Sequence, residues 1–450
     1  MPLLARFFGS IRLFFHVFEK HDTPGGRARQ FSTPSGYVFD MGPSWYWMHD
    51  IIENFFNDFG YQTSDFFRLV ALDPQFEIIF QDEKLLLPKA YEDIKKLFEN
   101  IEEGSGKKLD KFMRAAKYKY ETGMYEFVNK PCNSWWEFVS VKIAKNALKL
   151  DMLTNFRTYA GKYFSDAKLK ALMEFPVIFL GASPKEIPAL YSLMNYGGYV
   201  LGTHYPMGGF NSLVLAMKTV AELSGATFHF NSNVERINVR NNQVSSLNIN
   251  GKDLHFDAVI ASADYHHSET LLSDKTLKNY NSSFWQKKTF APSCLIYYLG
   301  INRRIPNLKH HTLFFENDLD EHTEDIYKKK RWPNKPLFYA CCPSQTDPGV
   351  APQGCENLFL LMPVATGLND EDSIREKYLE QMITRLEKHT GISDLSASIE
   401  FKRSYCVKDF MMDYNAYGGN AYGLANTLRQ TAVLKPKLRN RKINNLLYTG

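Results

Sequence analysis

Glu19 closes a short apolar run, "HVFE", and Gly25, Gly26 and Arg27 follow it across the turn "KHDTP". A carboxylate at a strand end offers several lone pairs and donates nothing, which suits the vicinal diol of a ribose. Two adjacent glycines permit close backbone approach or positive φ. Arg27 presents a planar fork of donors matched to a phosphate anion. A strand-ending glutamate says little by itself; the glycine doublet and arginine behind it point to a nucleotide ligand.

Other residues invite chemistry and mostly lose it on spacing. His266-His267, His310-His311 and Cys341-Cys342 are adjacent pairs. Neighbours on a strand face opposite ways, so chelating geometry and a metal site are not expected of them. Six cysteines occur without a C-x-x-C pair, which excludes the common zinc and redox motifs and fits a reduced compartment. Trp45, Tyr46 and Trp47 form a dense aromatic group after the polar turn Asp40-Met41-Gly42-Pro43. Such rings can hold an extended apolar ligand, and they can equally be core.

The elements that must position these residues are legible in outline. "HVFE" reads as a strand, and "FEIIFQDEKLLLP" (76–88) as two strands around a polar turn. Residues 90–195 carry helical spacing with few breakers. Asn211 is placed to cap a helix through Leu213, Met217, Val220 and Leu223, with Gly225 at its left-handed end. Three short strands, "ATFHF", "VERINV" and "VSSLNIN", read as a meander before "LHFDAVIASAD". Longer strands begin at 291, a helix is expected over 371–389 with Ile374, Tyr378, Met382 and Leu386 on one stripe, and "INNLLYTG" is a strand running into Gly450.

Composition bounds the rest. The 450 residues are 44% apolar and 23% charged, so the chain can bury a large core and is not disordered. The net charge of +5 is dispersed, its longest basic run being Lys328–Arg331, and no array interleaves basic with aromatic residues. A nucleic-acid partner is therefore not expected. No apolar stretch approaches the roughly 18 residues that span a bilayer. The expectation is a cytoplasmic protein, free or held peripherally at a membrane.

"VFEKHDTPGGRA" resembles the E-K-x-x-x-x-GG-R signature of the flavin-dependent amine oxidase and phytoene desaturase superfamily, and "FDMGPSWYWM" (39–48) is similar to the bacterial-type phytoene desaturases. "YPMGGF" (205–210), "SADYHHSE", "KTFAPS" and "GNAYGLANTLRQT" (419–431) extend the resemblance over most of residues 17–450. It implies an α/β fold: a discontinuous Rossmann-like FAD-binding domain of the glutathione-reductase type (residues 1–75, 205–290 and 405–450) with an inserted α+β substrate domain (76–204 and 291–404). The implied cofactor is FAD. Glu19, with Lys20 beside it, would meet the adenosine ribose, and Gly25, Gly26 and Arg27 the pyrophosphate. Val234 would meet the adenine through its backbone. Asp40, Gly42, Pro43 and Ser44 would pass the isoalloxazine, and Gly450 would close the cradle.

The resemblance also implies a reaction, desaturation of a long apolar polyene such as phytoene, with the substrate drawn from a membrane surface. Asp40 and His204 are the polar candidates to accept the proton. Isomerisation, saturation or oxygenation of a carotenoid or retinoid by the same flavin, or a non-catalytic remnant, are the alternatives. Relatives carry "IGxGxxGL" before the acid, where this chain has "MPLLARFFGSIRLFF" with Gly9 alone, and they continue past "YTG". The cofactor cradle is thus expected to be incomplete at both ends, as in a fragment. Oligomeric state is left open.

Overall fold

The computed structural model describes residues 14–127, 151, 153–178, 180–427, 429–430 and 434–449. Its largest element is a seven-stranded sheet made, in spatial order, of β17 (Ile399–Tyr405), β13 (Ser293–Ile301), β16 (Glu356–Val364), β15 (Phe338–Cys341), β14 (His311–Phe314), β5 (Phe76–Ile79) and β6 (Lys84–Leu87). All neighbours run antiparallel except β14 and β5.

The period of two along β13 explains why this sheet needs cover on both sides. Cys294, Ile296 and Tyr298 enter one apolar cluster, and Leu295, Tyr297, Leu299 and Ile301 enter another. The first cluster is completed by the helices Tyr91–Ile101, Ser105–Glu121 and Ala167–Ile178, and the second by the helix Asp372–Thr390. That last helix buries Tyr378, Met382 and Leu386 as their four-residue spacing requires, and Gly391 follows it at φ 73°. A sheet buried on both faces is written in the sequence as "SCLIYYLGI", apolar nearly throughout rather than alternating.

The nucleotide-type part is built from parallel pairs. β1 (Phe15–Phe18) pairs with β8 (Ala226–His229), and β12 (Val259–Ala261) with β18 (Leu446–Tyr448). "ATFHF" therefore leaves the expected meander: the parallel partner it finds in β1 is remote in sequence. The meander is instead β9 (Val234–Arg240), β10 (Gln243–Ile249) and β11 (Lys252–Leu254). Ile237, Val244, Leu247, Val259, Leu446 and Tyr448 share one core, with Phe18 and Val234 packed against it.

Two short antiparallel pairs carry the polar segments, one local and one joining distant parts of the chain. β2 (Gln30–Ser32) pairs with β3 (Val38–Asp40), and β4 (Leu69–Ala71) with β7 (His204–Pro206). The helices His49–Asn57 and Asn211–Leu223 share a fourth cluster with Tyr46, Phe67 and Phe210. No helix among the described residues is long and apolar enough to cross a membrane.

Candidate active site

Glu19 follows β1 directly. Its N–H bonds the carbonyl of His229 at 2.9 Å and its own carbonyl receives the N–H of Ser232 at 2.8 Å, so the turn before β9 is tied to it. Val234, the first residue of β9, follows two residues after Ser232. One Glu19 oxygen accepts the N–H of His21 at 2.9 Å. Lys20 reaches across to the Met412 carbonyl at 2.7 Å.

Gly25 and Gly26 take φ of 113° and 55° and lead into a single helical turn, Gly26–Ala28. Arg27 projects from that turn beneath Tyr414, its guanidinium 5.2 Å from the ring centre. One terminal nitrogen donates to the Asn420 carbonyl at 3.3 Å. Its Nε is buried and has no partner. Burial lowers the pKa of this guanidinium, and Asp264 opposes the shift. A desolvated cation with an unused donor fits an anionic group, so the residues present fit the pyrophosphate of a dinucleotide.

The neighbouring residues that hold Arg27 were not evident beforehand. Arg29 lies on the same Tyr414 ring at 5.5 Å and forms a 3.1 Å ion pair with Asp413. Asp264 caps the helix Tyr265–Thr270 by accepting from His267 N–H at 3.1 Å. The segment 413–420 therefore closes over Arg27 and Arg29, and only a signal linking residues about 390 apart could have revealed it.

The Asp40–Ser44 turn is locked to this first half. Met41 N–H bonds the Arg29 carbonyl at 2.8 Å. A Cβ on Gly42 would stand 2.5 Å from the Arg27 carbonyl oxygen, too close for any side chain. The observed need for glycine there is thus backbone against backbone, which couples the Asp40–Ser44 turn to the arginine.

Asp40 has a further structural task. Its Oδ2 accepts Phe210 N–H at 2.7 Å, and its Oδ1 accepts Asn211 N–H at 3.3 Å and Gln30 Nε2 at 3.0 Å. The carboxylate caps the helix Asn211–Leu223 from outside, a role expected of Asn211 itself; Asn211 is already the first helical residue. Burial raises the Asp40 pKa to about 6 against these three hydrogen bonds.

His204 sits in β7 with its ring 4.4 Å from that of His49, and its Nδ1 is buried without a partner. Burial and the neighbouring histidine lower its pKa to about 4, so it is neutral near pH 7. The aromatic group splits by strand alternation: Tyr46 enters the cluster around Phe67 and Phe210, while Trp45 and Trp47 pack against the opposite one. Trp45 stacks on His311 at 4.0 Å.

A cavity of about 20 Å³ lies against Asp40, Gly42, Pro43 and Ser44 on one side and Tyr205, His310 and Cys341 on the other. Tyr339 donates to Ser44 Oγ at 3.0 Å and meets His311 Nδ1 at 2.6 Å. The geometric objection to the histidine and cysteine pairs is corrected here. His310 precedes β14 and escapes strand alternation, and His311 faces Cys341 directly across the β14–β15 register. Ring nitrogens of both histidines and Cys341 Sγ lie within 4.8 Å of one another. His266 and His267 lie on a helix rather than a strand, and Cys342 turns into the opposite core. Gly450 lies outside the described residues.

Comparison with known proteins gives the family and the fold. Residues 14–450 match the family described as flavin containing amine oxidoreductase. A carotenoid 3,4-desaturase of Haloarcula japonica is 36% identical over 436 residues, covering 96% of this chain and 88% of that protein. A zeta-carotene-forming phytoene desaturase of Myxococcus xanthus is 27% identical, over 96% of this chain and 84% of its own length. Among solved structures, an oxidoreductase from Methanosarcina mazei superposes with a TM-score of 0.60 at 14% identity, covering 100% of this chain and 91% of that one. Putrescine oxidase bound to putrescine gives 0.58 at 11% identity, over 100% and 90%. At those identities the structural likeness speaks for the fold alone.

Proposed function

The chain belongs to the flavin containing amine oxidoreductase family and is an FAD-dependent oxidoreductase acting on CH–CH groups, and within that family we propose that it desaturates an acyclic carotenoid. The observation that carries the reading is the 36% identity to a carotenoid desaturase over nearly the whole chain, together with a half-buried Arg27 whose buried Nε is unpaired.

FAD, when bound, supplies the acceptor for the hydride. Glu19 binds the ribose diol with Lys20 beside it, and Val234 the adenine. Gly25, Gly26 and Arg27 hold the pyrophosphate. Asp40 positions the Gly42-Pro43-Ser44 turn by anchoring it to the Phe210 end of a long helix, so the surface offered to the ring system is preorganised. Its oxygens are occupied by three donors, and His204, which keeps Nδ1 unpaired, packs on His49 while its strand neighbour Tyr205 lines the cavity. The wall that excludes water from this region is aromatic: Trp45, Phe76, Phe175 and Tyr339 pack edge to face or tilted. In this scheme residues 76–204 and 291–404 bind substrate, and residues 1–75, 205–290 and 405–450 bind the cofactor.

The choice between phytoene and another carotenoid follows the relatives: the more similar of the two is a carotenoid 3,4-desaturase, so an acyclic carotenoid that takes a 3,4 double bond is the favoured substrate and phytoene the second. So apolar a molecule resides in lipid, and the protein would collect it at a membrane surface. The test is incubation of FAD-loaded protein with each carotenoid in liposomes, followed by extraction and absorption spectroscopy. A red shift with loss of two hydrogens by mass spectrometry is expected. Unchanged spectra with both substrates, using protein that has retained FAD, would overturn the reading.

A further inference from the structure

We propose that His310, His311 and Cys341 form a binding site for one borderline-soft divalent cation, of which zinc is the type. Nothing in desaturation chemistry requires such an ion, and the inference rests on the local geometry rather than on the carotenoid reading.

Two observations carry it independently. The first is convergence. His311 and Cys341 are direct cross-strand partners, and His310 folds its ring to 4.5 Å from that of His311. Their donor atoms all lie within 4.8 Å. Bonds of about 2.0 Å to nitrogen and about 2.3 Å to sulfur place tetrahedral donors roughly 3.3–3.8 Å apart, so closure takes about 1 Å of side-chain movement.

The second is an unused pair of donor atoms. His310 is 6% exposed and His311 fully buried, yet Nε2 of each has no hydrogen-bond partner. Nδ1 of each is held, by Thr346 Oγ1 at 2.8 Å and by the Tyr339 hydroxyl at 2.6 Å. With the Tyr339 proton given to Ser44, Tyr339 accepts from His311, and in that tautomer the lone pair lies at Nε2. Ligating histidines are held in this way: one nitrogen oriented by an outer partner, the other left for the metal.

Charge and space agree. Burial pushes the Cys341 thiol up to about 12, so the ion binds by displacing its proton to solvent; two neutral imidazoles and the resulting thiolate around a divalent ion leave one net positive charge, and the Asp40 carboxylate lines the same cavity as His310 and Cys341. That cavity, about 20 Å³, has room for one water as a fourth ligand. Thiolate and imidazole select zinc-like ions over magnesium and calcium, which prefer oxygen.

The test uses full-length, FAD-loaded protein treated with a chelator and then titrated with zinc. One zinc per chain is expected, unaffected by excess magnesium, with X-ray absorption at the zinc edge showing one sulfur and two imidazole neighbours. Cys341→Ser should remove the sulfur shell and weaken binding at least 100-fold while FAD content stays at the wild-type level. Wild-type zinc surrounded only by nitrogen and oxygen, or bound equally by C341S, would sink the proposal. If C341S loses FAD through misfolding, the wild-type absorption spectrum decides alone.

Discussion

The Asp40 carboxylate, at the end of a three-residue strand, accepts the N–H of Phe210 at 2.7 Å across 170 residues of sequence. This bond ties the turn that runs to Ser44 to the start of the helix Asn211–Leu223. Gly209 makes it possible, since a Cβ there, at φ 91°, would stand 2.5 Å from Asp40 Oδ2. Asp40→Ala should cost about 1–3 kcal/mol by leaving buried donors unpaired, and Gly209→Ala at least as much through strain and collision. Urea denaturation reads both; midpoints equal to wild type for either variant would refute the capping role.

Arg27 makes a different demand, because its value lies in the ligand. Arg27→Ala should weaken FAD binding by at least tenfold, and Arg27→Lys should recover only part, since a lysine lacks the planar fork. Fluorescence titration of flavin-stripped protein measures this. Equal affinities for wild type and R27A would show that Arg27 does not touch the pyrophosphate.

Gly42 transmits between the two halves of the site. Gly42→Ala forces a methyl against the Arg27 carbonyl and should destabilise the fold by about 1–3 kcal/mol, as overpacking does. FAD affinity should fall with it, because the displaced group is the backbone of Arg27. An alanine variant with unchanged flavin content and stability would contradict the close approach.

Acid should loosen the contact between the helix Leu319–Glu324 and the large sheet through His322. Its Nδ1 accepts Leu337 N–H at 2.9 Å and its Nε2 donates to the Pro363 carbonyl at 3.0 Å, an arrangement open only to the neutral ring. Burial lowers its pKa to about 4, and His204 behaves alike. Between about pH 4 and 6.5 the unfolded chain binds the protons that the folded one refuses. Stability is therefore fully present above pH 6.5 and falls as pH drops towards 4, by up to about 1.4 kcal/mol per pH unit for each histidine. His322→Gln should flatten the dependence by about one proton; an identical slope in wild type and variant would exclude His322. Asp40 works in the opposite sense, with a pKa raised to about 6, so Asp40→Asn should gain relative to wild type as pH rises from 4 to 6.

Local chemistry was readable where a residue's neighbours in sequence are also its neighbours in space. The strand before Glu19, the hairpin 76–87, the stripe of Tyr378, Met382 and Leu386, and the turn at Gly25-Gly26 all follow from short-range period or backbone permission. The expected strand "ATFHF" existed but in another partnership, because pairing with Phe15–Phe18 gives it a parallel neighbour more than 200 residues away.

The sequence by itself determined a local chemistry suited to a nucleotide: an acid at a strand end, then two glycines and an arginine within nine residues, with the donors, acceptors and backbone freedom such a ligand needs. Only the tertiary structure decided who serves whom. It gave Asp40 to the helix at Phe210, placed Tyr414 over both Arg27 and Arg29, and brought His310, His311 and Cys341 together. The physical reason is that these contacts join segments far apart in the chain, and their energies arise from burial and orientation that no local spacing encodes.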